Sequence, residues 1–216
     1  MNVIVDYGMG NLESVKNAAS FLGKKVIITS SPKDLLAAEK IIFPGVGHFG
    51  KAVTELKKRG LIEILKETIN QGVPFLGICL GMQLLFEKSG EAEGVSGLGV
   101  IKGQVVKFNN KNLIVPHMGW NQIRKVQSPK SKAQSQYKGK ELFEGIEDES
   151  FFYFAHSYFC KPHEEVTLAI TEYGEDFTCA IHKENIWAIQ FHPEKSQTKG
   201  LKVLNNFLTH VNNTGY

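Results

Sequence analysis

Four short apolar runs in the first eighty residues alternate with stretches of helical period, and this alternation limits the fold more than any other feature. The runs are NVIVDY, KVIIT, KIIFPGVG and VPFLGI. Helical patterns cover residues 11–22, a short stretch that begins at the N-cap serine Ser31, and residues 52–72. Strands and helices in alternation predict parallel βαβ units, with helices on both faces of the sheet.

The chain changes character after about Gly103, where short strand-like runs follow one another and predict antiparallel pairing. HKEN, residues 182–185, predicts a hairpin turn, TKGLKVLNNFLTHV predicts a closing helix, and the polar residues 125–140 predict a long surface loop. The expected fold class is α/β: a mostly parallel sheet with helices on both faces, plus an antiparallel portion in the C-terminal half. We expect one domain over residues 1–212 and a tail over 213–216.

The composition is that of an ordinary globular protein in water, with 42% hydrophobic and 22% charged residues. The net charge of +3 is spread over many lysines, which argues against nucleic acid or an anionic membrane as a partner. No run approaches the roughly 20 apolar residues that a transmembrane helix needs, and the first residues lack the pattern of a signal peptide. Three cysteines do not make a disulfide framework, so we expect a reducing compartment, by default the cytoplasm.

GICLGMQ places Cys79 between two glycines, where the fourth strand is expected to turn into a helix. Taken alone, a cysteine here is more often a small buried hydrophobe than a nucleophile. The flanking glycines favour the second interpretation, because they permit the tight strand-to-helix turn that exposes a nucleophile at the carboxyl end of a parallel strand. The helix that begins at Leu80 would also favour the thiolate.

AIQFHPEKS supplies a candidate base, because the strand ends in His192, Pro193 and Glu194. In extended backbone, side chains two residues apart project to the same side, so Glu194 can orient the His192 ring toward a thiol. Cys79, His192 and Glu194 therefore form a nucleophile, base and orienting acid in outline. The other histidines in strand or turn settings, His48, His156 and His182, are interpreted as turn or core residues.

The PGVG loop after the third strand is expected beside Cys79, because successive parallel strands of such a sheet usually pair. An acyl-transfer site needs backbone N–H groups aimed at the carbonyl oxygen, and the amides of Val46 and Leu80, with Gly47 giving the loop freedom, are our candidates. The alternative is a plain strand-to-helix turn. Cys160 and His163 have a metal-like spacing, but without a second pair of ligands nearby they do not predict a metal site.

The cysteine turn GICLGMQ and the HPE segment resemble the class I (triad) glutamine amidotransferase family. Four further segments, DYGMGNL, PGVGHF, PHMGWN and YFAHSY, resemble one branch of that family, and the resemblance covers nearly the whole chain. It implies that Cys79 attacks the side-chain amide of glutamine and forms a γ-glutamyl thioester, with His192 as acid and base and Glu194 as its orienting group. It implies no cofactor and no metal.

The same resemblance implies a substrate site and a partner. Gln83 and the segment His156, Ser157 and Tyr158 would hold glutamine, and Glu91 would face its α-ammonium group. All 216 residues are taken up by the glutaminase fold, so a second chain must use the ammonia. In the resembled branch this partner is a (β/α)₈ cyclase that makes imidazole glycerol phosphate in histidine biosynthesis, and the two subunits form a heterodimer.

Interface candidates are Asn11 and residues 117–121, among them His117 and Trp120. Trp120 is an aromatic of the type that anchors interfaces, although a core position is an equal alternative. Three rival functions stay open at this point: a glutaminase that serves another synthase, such as one acting on a sugar, a freestanding γ-glutamyl hydrolase, and a non-catalytic binding scaffold. The intact set of Cys79, His192 and Glu194 argues against the scaffold.

Overall fold

The computed structural model of this chain describes residues 1–109, 113–126 and 139–211. The N-terminal part alternates strands and helices: β1 (Asn2–Val5), α1 (Leu12–Phe21), β2 (Val26–Thr29), α2 (Pro32–Leu36), β3 (Lys40–Gly45), α3 (Phe49–Lys58), α4 (Leu61–Asn70), β4 (Phe75–Cys79) and α5 (Leu80–Leu84). The rest contains β5 (Phe86–Ser89), β6 (Ile101–Lys107), β7 (His117–Lys125), β8 (Ser150–His156), β9 (Tyr158–Pro162), β10 (Thr167–Glu172), β11 (Asp176–Lys183), β12 (Ile186–Ile189) and α6 (Gln197–Thr209), with 3-10 turns at Lys140–Phe143 and Pro193–Lys195.

Within the described ranges, twelve strands join in one mixed sheet. Strands β2, β1, β3, β4 and β12 lie side by side in that order and are parallel. The sheet continues through β11, β10, β7 and β8 with antiparallel pairing, and β9, β6 and β5 branch from β11. The predicted parallel portion, antiparallel portion and fold class are therefore confirmed.

Helices cover both faces of the parallel portion, because alternate residues of each strand point to opposite sides. Ile4 packs in a core with Val15 of α1 and Phe207 of α6, whereas its neighbour Val3 packs in a second core with Leu65 of α4. No helix in the described ranges is long and apolar enough to cross a membrane.

Local signals placed most element ends correctly. Ser31 caps α2 by accepting a hydrogen bond from the backbone N–H of Asp34, and Glu184, with a φ of 54°, turns β11 into β12 at the predicted hairpin. The stretch of helical period at residues 52–72 belongs to two helices, because Gly60 takes a left-handed conformation with a φ of 66° and ends the first. Of the predicted loop and tail, residues 127–138 and 213–216 lie outside the described residues.

Candidate active site

Cys79 is the last residue of β4 and the N-cap of α5, with φ 53° and ψ −109°. A non-glycine residue with this backbone is strained, and such strain is concentrated at functional turns. A Cβ atom on Gly81 would lie 1.8 Å from the carbonyl oxygen of Phe43, and one on Gly77 would lie 3.0 Å from the carbonyl oxygen of Gly81. The flanking glycines are therefore needed because the start of α5 packs directly on the backbone of β3.

His192 follows β12, which pairs with β4 in parallel, so the chain beyond both strands emerges at the same edge of the sheet. Its backbone N–H donates to the carbonyl oxygen of Tyr153 on β8, at 2.9 Å. The Ser196 hydroxyl donates to the carbonyl oxygen of His192 at 2.6 Å and accepts from the backbone N–H of Tyr153 at 2.9 Å. Three hydrogen bonds thus fix the His192 segment against β8.

The imidazole of His192 lies between Cys79 and Glu194. Its Nδ1 atom is 2.9 Å from Oε1 of Glu194, and the two side chains are 3% and 2% exposed. Burial alone would lower the pKa of His192, but the charge and hydrogen bond of the Cys79 sulfur, followed by those of the Glu194 carboxylate, outweigh it and raise the pKa to about 10. The arrangement therefore favours the protonated, imidazolium form of His192.

Glu194 reaches the ring by a different backbone path from the one expected. His192 is extended, with φ −97° and ψ 100°, but Pro193 and Glu194 begin a 3-10 turn. A Cβ atom on Gly200 would lie 2.0 Å from the carbonyl oxygen of Pro193, so the first turns of α6 pack tightly against this segment. We expected extended backbone to place Glu194 beside the ring. In the structure, the 3-10 turn and its packing against α6 place it there.

The PGVG loop lies beside the cysteine turn, since Gly45 of β3 pairs with Cys79 of β4. A Cβ atom on Gly45 would lie 2.2 Å from the Tyr7 hydroxyl and 3.0 Å from Cβ of Leu80, so the two loops are in close contact. Gly47 has a φ of 102°, and Val46 is 39% exposed. The expected adjacency of β3 and β4 is confirmed, and the role of Val46, Gly47 and Leu80 in binding an oxyanion stays a prediction.

The predicted substrate residues lie around the same end of the sheet. Nε2 of Gln83, on α5, donates to the carbonyl oxygen of Tyr158 at 2.9 Å and to Oε1 of Gln190 at 3.2 Å. Oε2 of Glu91 accepts from the backbone N–H of Phe49, at the start of α3, at 2.7 Å. Burial and the nearby Glu91 charge raise the pKa of Tyr158. The Glu91 charge therefore acts on the Tyr158 hydroxyl, and the role of both residues in binding glutamine stays a prediction.

His117 and His156 form a buried pair across β7 and β8, where they face each other in the strand register. Nδ1 of His117 is 3.1 Å from Nε2 of His156, whose Nδ1 donates to the carbonyl oxygen of Tyr158 at 2.8 Å. Nδ2 of Asn121 is 3.3 Å from Nε2 of His117. His117 stacks on Tyr173 with a centroid distance of 4.0 Å. Because the side chains of His117 and His156 are only 3% and 6% exposed, neither presents a free surface to a partner or substrate.

Trp120 lies on the outer side of the same pair of strands and is 46% exposed, so the core alternative does not hold. Met118 and Phe151 are 64% and 50% exposed on this side. Trp120 packs edge-on against Tyr153 with a centroid distance of 6.1 Å, and Nζ of Lys195 lies 5.7 Å from the centre of the Tyr153 ring. We call this surface of β7 and β8 the aromatic face. Asn11, at the N-cap of α1, is also exposed.

Three residues of the site were not identified from the sequence. Gln190 and Ser196 contact the Cys79 and His192 segments, and Tyr7 places a buried hydroxyl, without a hydrogen-bond partner among the described residues, against Gly45. Gln190 had a signal, since it is the polar residue of the apolar run AIQF and lies two residues before His192. Across the described ranges, no group of three or more His, Cys, Asp or Glu side chains could hold a metal ion.

The buried histidine pair makes the free energy of unfolding depend on pH. Burial lowers the pKa of His117 to about 4 and that of His156 to about 3, below the unfolded value of about 6.5. The unfolded chain therefore binds protons first, and stability falls as the pH drops from about 6.5 to about 4, by at most about 1.4 kcal/mol per pH unit for each histidine. In urea titrations at pH 7.5 and 5.0, His117→Phe should lose less stability on acidification than the unmodified chain. An equal loss in both would contradict this assignment.

The chain is similar to known proteins over nearly its whole length. Residues 3–211 match the family described as glutamine amidotransferase class-I. The imidazole glycerol phosphate synthase subunit HisH of Methanocaldococcus jannaschii is 48% identical over 205 residues, which cover 95% of this chain and 97% of that protein. The subunit of the same name from Methanothermobacter thermautotrophicus is 47% identical over 208 residues, covering 96% and 98%. Among solved structures, PurLQS from Thermotoga maritima has a TM-score of 0.72 at 16% identity and 97% coverage of both chains, which shows a shared fold.

Proposed function

Because this chain belongs to the class-I glutamine amidotransferase family, we propose that it hydrolyses glutamine through Cys79 as the glutaminase subunit of an imidazole glycerol phosphate synthase. The contact of His192 with both Cys79 and Glu194, at the carboxyl end of β4, is the observation that carries the proposal. The identities of 48% and 47% over nearly the full length of two HisH subunits support the histidine pathway as its setting.

In the proposed first step, the Cys79 thiolate attacks the side-chain carbonyl carbon of glutamine and forms a tetrahedral intermediate. Backbone N–H groups of the Val46 and Leu80 segments would hold the negative oxygen, since both border Cys79. The His192 imidazolium gives its proton to the departing nitrogen, so the carbon–nitrogen bond breaks and ammonia leaves. What remains is a γ-glutamyl thioester on Cys79 and a neutral His192.

In the second step, neutral His192 takes a proton from a water molecule that attacks the thioester carbon. The carbon–sulfur bond breaks and the thiolate and imidazolium are restored, while the new γ-carboxylic acid loses its proton to water and leaves as glutamate. Glu194 holds Nδ1 of the ring throughout at 2.9 Å, so Nε2 is the atom that exchanges protons. We place the glutamine side chain between Cys79 and the PGVG loop, with Glu91 facing its α-ammonium group.

We propose that the aromatic face docks a (β/α)₈ cyclase partner. It exposes Trp120, Met118 and Phe151, and aromatic residues and methionine are enriched in interfaces. The backbone of the same β8 strand contacts the site, because the carbonyl oxygen of Ala155 lies 3.9 Å from Sγ of Cys79. Docking there would let ammonia pass directly to the partner without release into water, where it would be protonated. Asn11 and the backbone around His117 are further contacts in this proposal.

Glutaminase activity is expected to depend on the partner. The isolated chain should hydrolyse glutamine slowly and gain about 100-fold or more when the cyclase and its nucleotide ligand bind, if docking completes the oxyanion site; the loss of one such donor costs about 10² to 10³ in rate. Glutamate release by the purified chain, with and without the liganded cyclase, measures this. Equal turnover in both conditions would overturn the partner-dependent part of the proposal.

We further propose that residues 1–212 form a single domain and that the protein works in the cytoplasm. One sheet, with a core on each face, runs through the described residues and supports the first proposal. The three cysteines are buried and free in the structure, which supports a reducing compartment.

A further inference from the structure

Gln190 is a fully buried amide that the two-step mechanism above does not use. It lies between β12 and His192, and its side chain is 0% exposed. Nε2 of Gln190 is 3.6 Å from Sγ of Cys79, within the range of a hydrogen bond to sulfur. An uncharged polar side chain held in an apolar interior, in contact with the proposed nucleophile, calls for a chemical role.

The orientation of the Gln190 amide follows from its neighbours. The backbone carbonyl oxygen of Tyr158 can only accept, so the group of Gln83 that faces it at 2.9 Å must be the nitrogen. That same nitrogen lies 3.2 Å from Gln190, which must therefore present its oxygen to Gln83 and its nitrogen to Cys79. The chain of donors thus turns an N–H of Gln190 toward the sulfur.

Besides His192, whose imidazole hydrogen-bonds the sulfur, two groups contact it with opposite preferences. The carbonyl oxygen of Ala155, at 3.9 Å, can only accept, so it suits a protonated thiol. The Gln190 amide donates, so it suits the thiolate, because a hydrogen bond to the charged form of a group favours that form. Gln190 therefore opposes the preference of the Ala155 carbonyl oxygen for the protonated thiol.

We propose that Gln190 is a further catalytic residue, which holds the Cys79 thiolate ready for attack through an N–H···S⁻ hydrogen bond. This rests on the proposed function in that Cys79 is the nucleophile. During attack the negative charge leaves the sulfur for the substrate oxygen, so this bond is strongest before the reaction. Gln190 thus raises the fraction of enzyme that carries thiolate near neutral pH. At high pH, where the thiolate is fully formed without it, Gln190 contributes less to the rate of attack.

The test compares Gln190→Met, which keeps the length and removes the donor, with Gln190→Glu, which brings an acceptor to the sulfur. Gln71→Met, an exposed glutamine at the end of α4, is the matched control. The rate of Cys79 alkylation by iodoacetamide is followed from pH 5 to 10 by mass spectrometry of the full chain. Burial raises the pKa of Cys160, and raises that of Cys179 to about 12, so neither competes near neutral pH.

For Gln190→Met we expect the midpoint of the pH profile to rise by about one unit, equivalent to about tenfold slower alkylation below the midpoint. Gln190→Glu should raise the midpoint further, and Gln71→Met should leave the midpoint unchanged. At high pH all variants should react within about twofold of the unmodified chain, once the thiolate is fully formed. Glutamine hydrolysis by the complex with the cyclase should show the same shift in its acid limb.

A fall in alkylation at every pH with an unchanged midpoint would overturn the proposal, because it would leave Gln190 only a packing role. If Gln190→Met does not fold, the Gln190→Glu variant tests the proposal alone: a raised midpoint supports the hydrogen bond to the thiolate, and an unchanged midpoint overturns it. The proposed function fails separately: a complex of the unmodified chain that does not hydrolyse glutamine would refute it, whereas the alkylation profile would still report on the contact between Gln190 and the sulfur.

Discussion

Replacing Cys79 by alanine is expected to lower glutamine hydrolysis by about 10⁴-fold or more, because no other group on the reaction path can form the thioester. The loss should fall on kcat, since the proposed glutamine contacts at Gln83, Glu91 and Tyr158 remain. Synthesis by the complex should persist when ammonium salt replaces glutamine at alkaline pH, because the partner's reaction does not use Cys79. Glutamate release and product formation by the complex, with each nitrogen source, measure the two activities.

Cys179→Ala is the matched control for this experiment. Cys179 is also fully buried, on β11, and burial raises its pKa to about 12, so it has no role as a nucleophile. This variant should keep glutamine hydrolysis within a few-fold of the unmodified complex. Its only cost should be a lower free energy of unfolding, because buried atoms are removed. Substantial hydrolysis by Cys79→Ala, or an equal loss in Cys179→Ala, would contradict the assignment of the nucleophile.

Replacing Gly81 by alanine is expected to lower the free energy of unfolding by on the order of 3 kcal/mol or more. The added Cβ would lie 1.8 Å from the carbonyl oxygen of Phe43, and this atom belongs to the backbone of β3, which cannot yield as a flexible side chain would. Any folded protein should have Cys79 displaced and little glutaminase activity. Chemical denaturation followed by fluorescence measures the stability, and glutamate release in the complex measures the activity.

Gly90→Ala provides the comparison, since a Cβ atom there would have its nearest neighbour, the carbonyl oxygen of Val105, at an ordinary 3.7 Å. We expect this change to alter the free energy of unfolding by no more than about 0.5 kcal/mol and to leave hydrolysis unchanged. If Gly81→Ala were as stable and active as Gly90→Ala, the cysteine turn would not need the close packing on β3 that the structure indicates.

The sequence predicted the parts of the site that depend on local pattern. The glycines around Cys79 indicated a tight turn, and the order of βαβ units correctly predicted that Gly45 and the PGVG loop lie beside it. The HPE segment indicated a base with an orienting acid. Each of these signals is carried by residues close together in the chain or by a general rule of parallel sheets.

The remaining features depend on contacts between distant segments. The register that places His117 opposite His156 joins strands separated by residues partly outside the described ranges, and nothing in PHMGWN or YFAHSY reveals it. The orientation of Gln190 depends on Tyr158 and Gln83, from two other elements. Gly60 was a local signal for a helix end. We did not predict the left-handed turn there, because the helical apolar period continues on both sides of this glycine.

Mass spectrometry of Cys79 after reaction with a diazoketone analogue of glutamine tests the central claim most directly, because the analogue alkylates the thiol that attacks the substrate. In the complex with the liganded cyclase, we predict one covalent adduct per chain, on the peptide that contains Cys79, formed in step with the loss of glutaminase activity and slowed by excess glutamine. Loss of activity with the adduct on Cys160 or Cys179, or continued hydrolysis by a chain fully labelled at Cys79, would contradict the account.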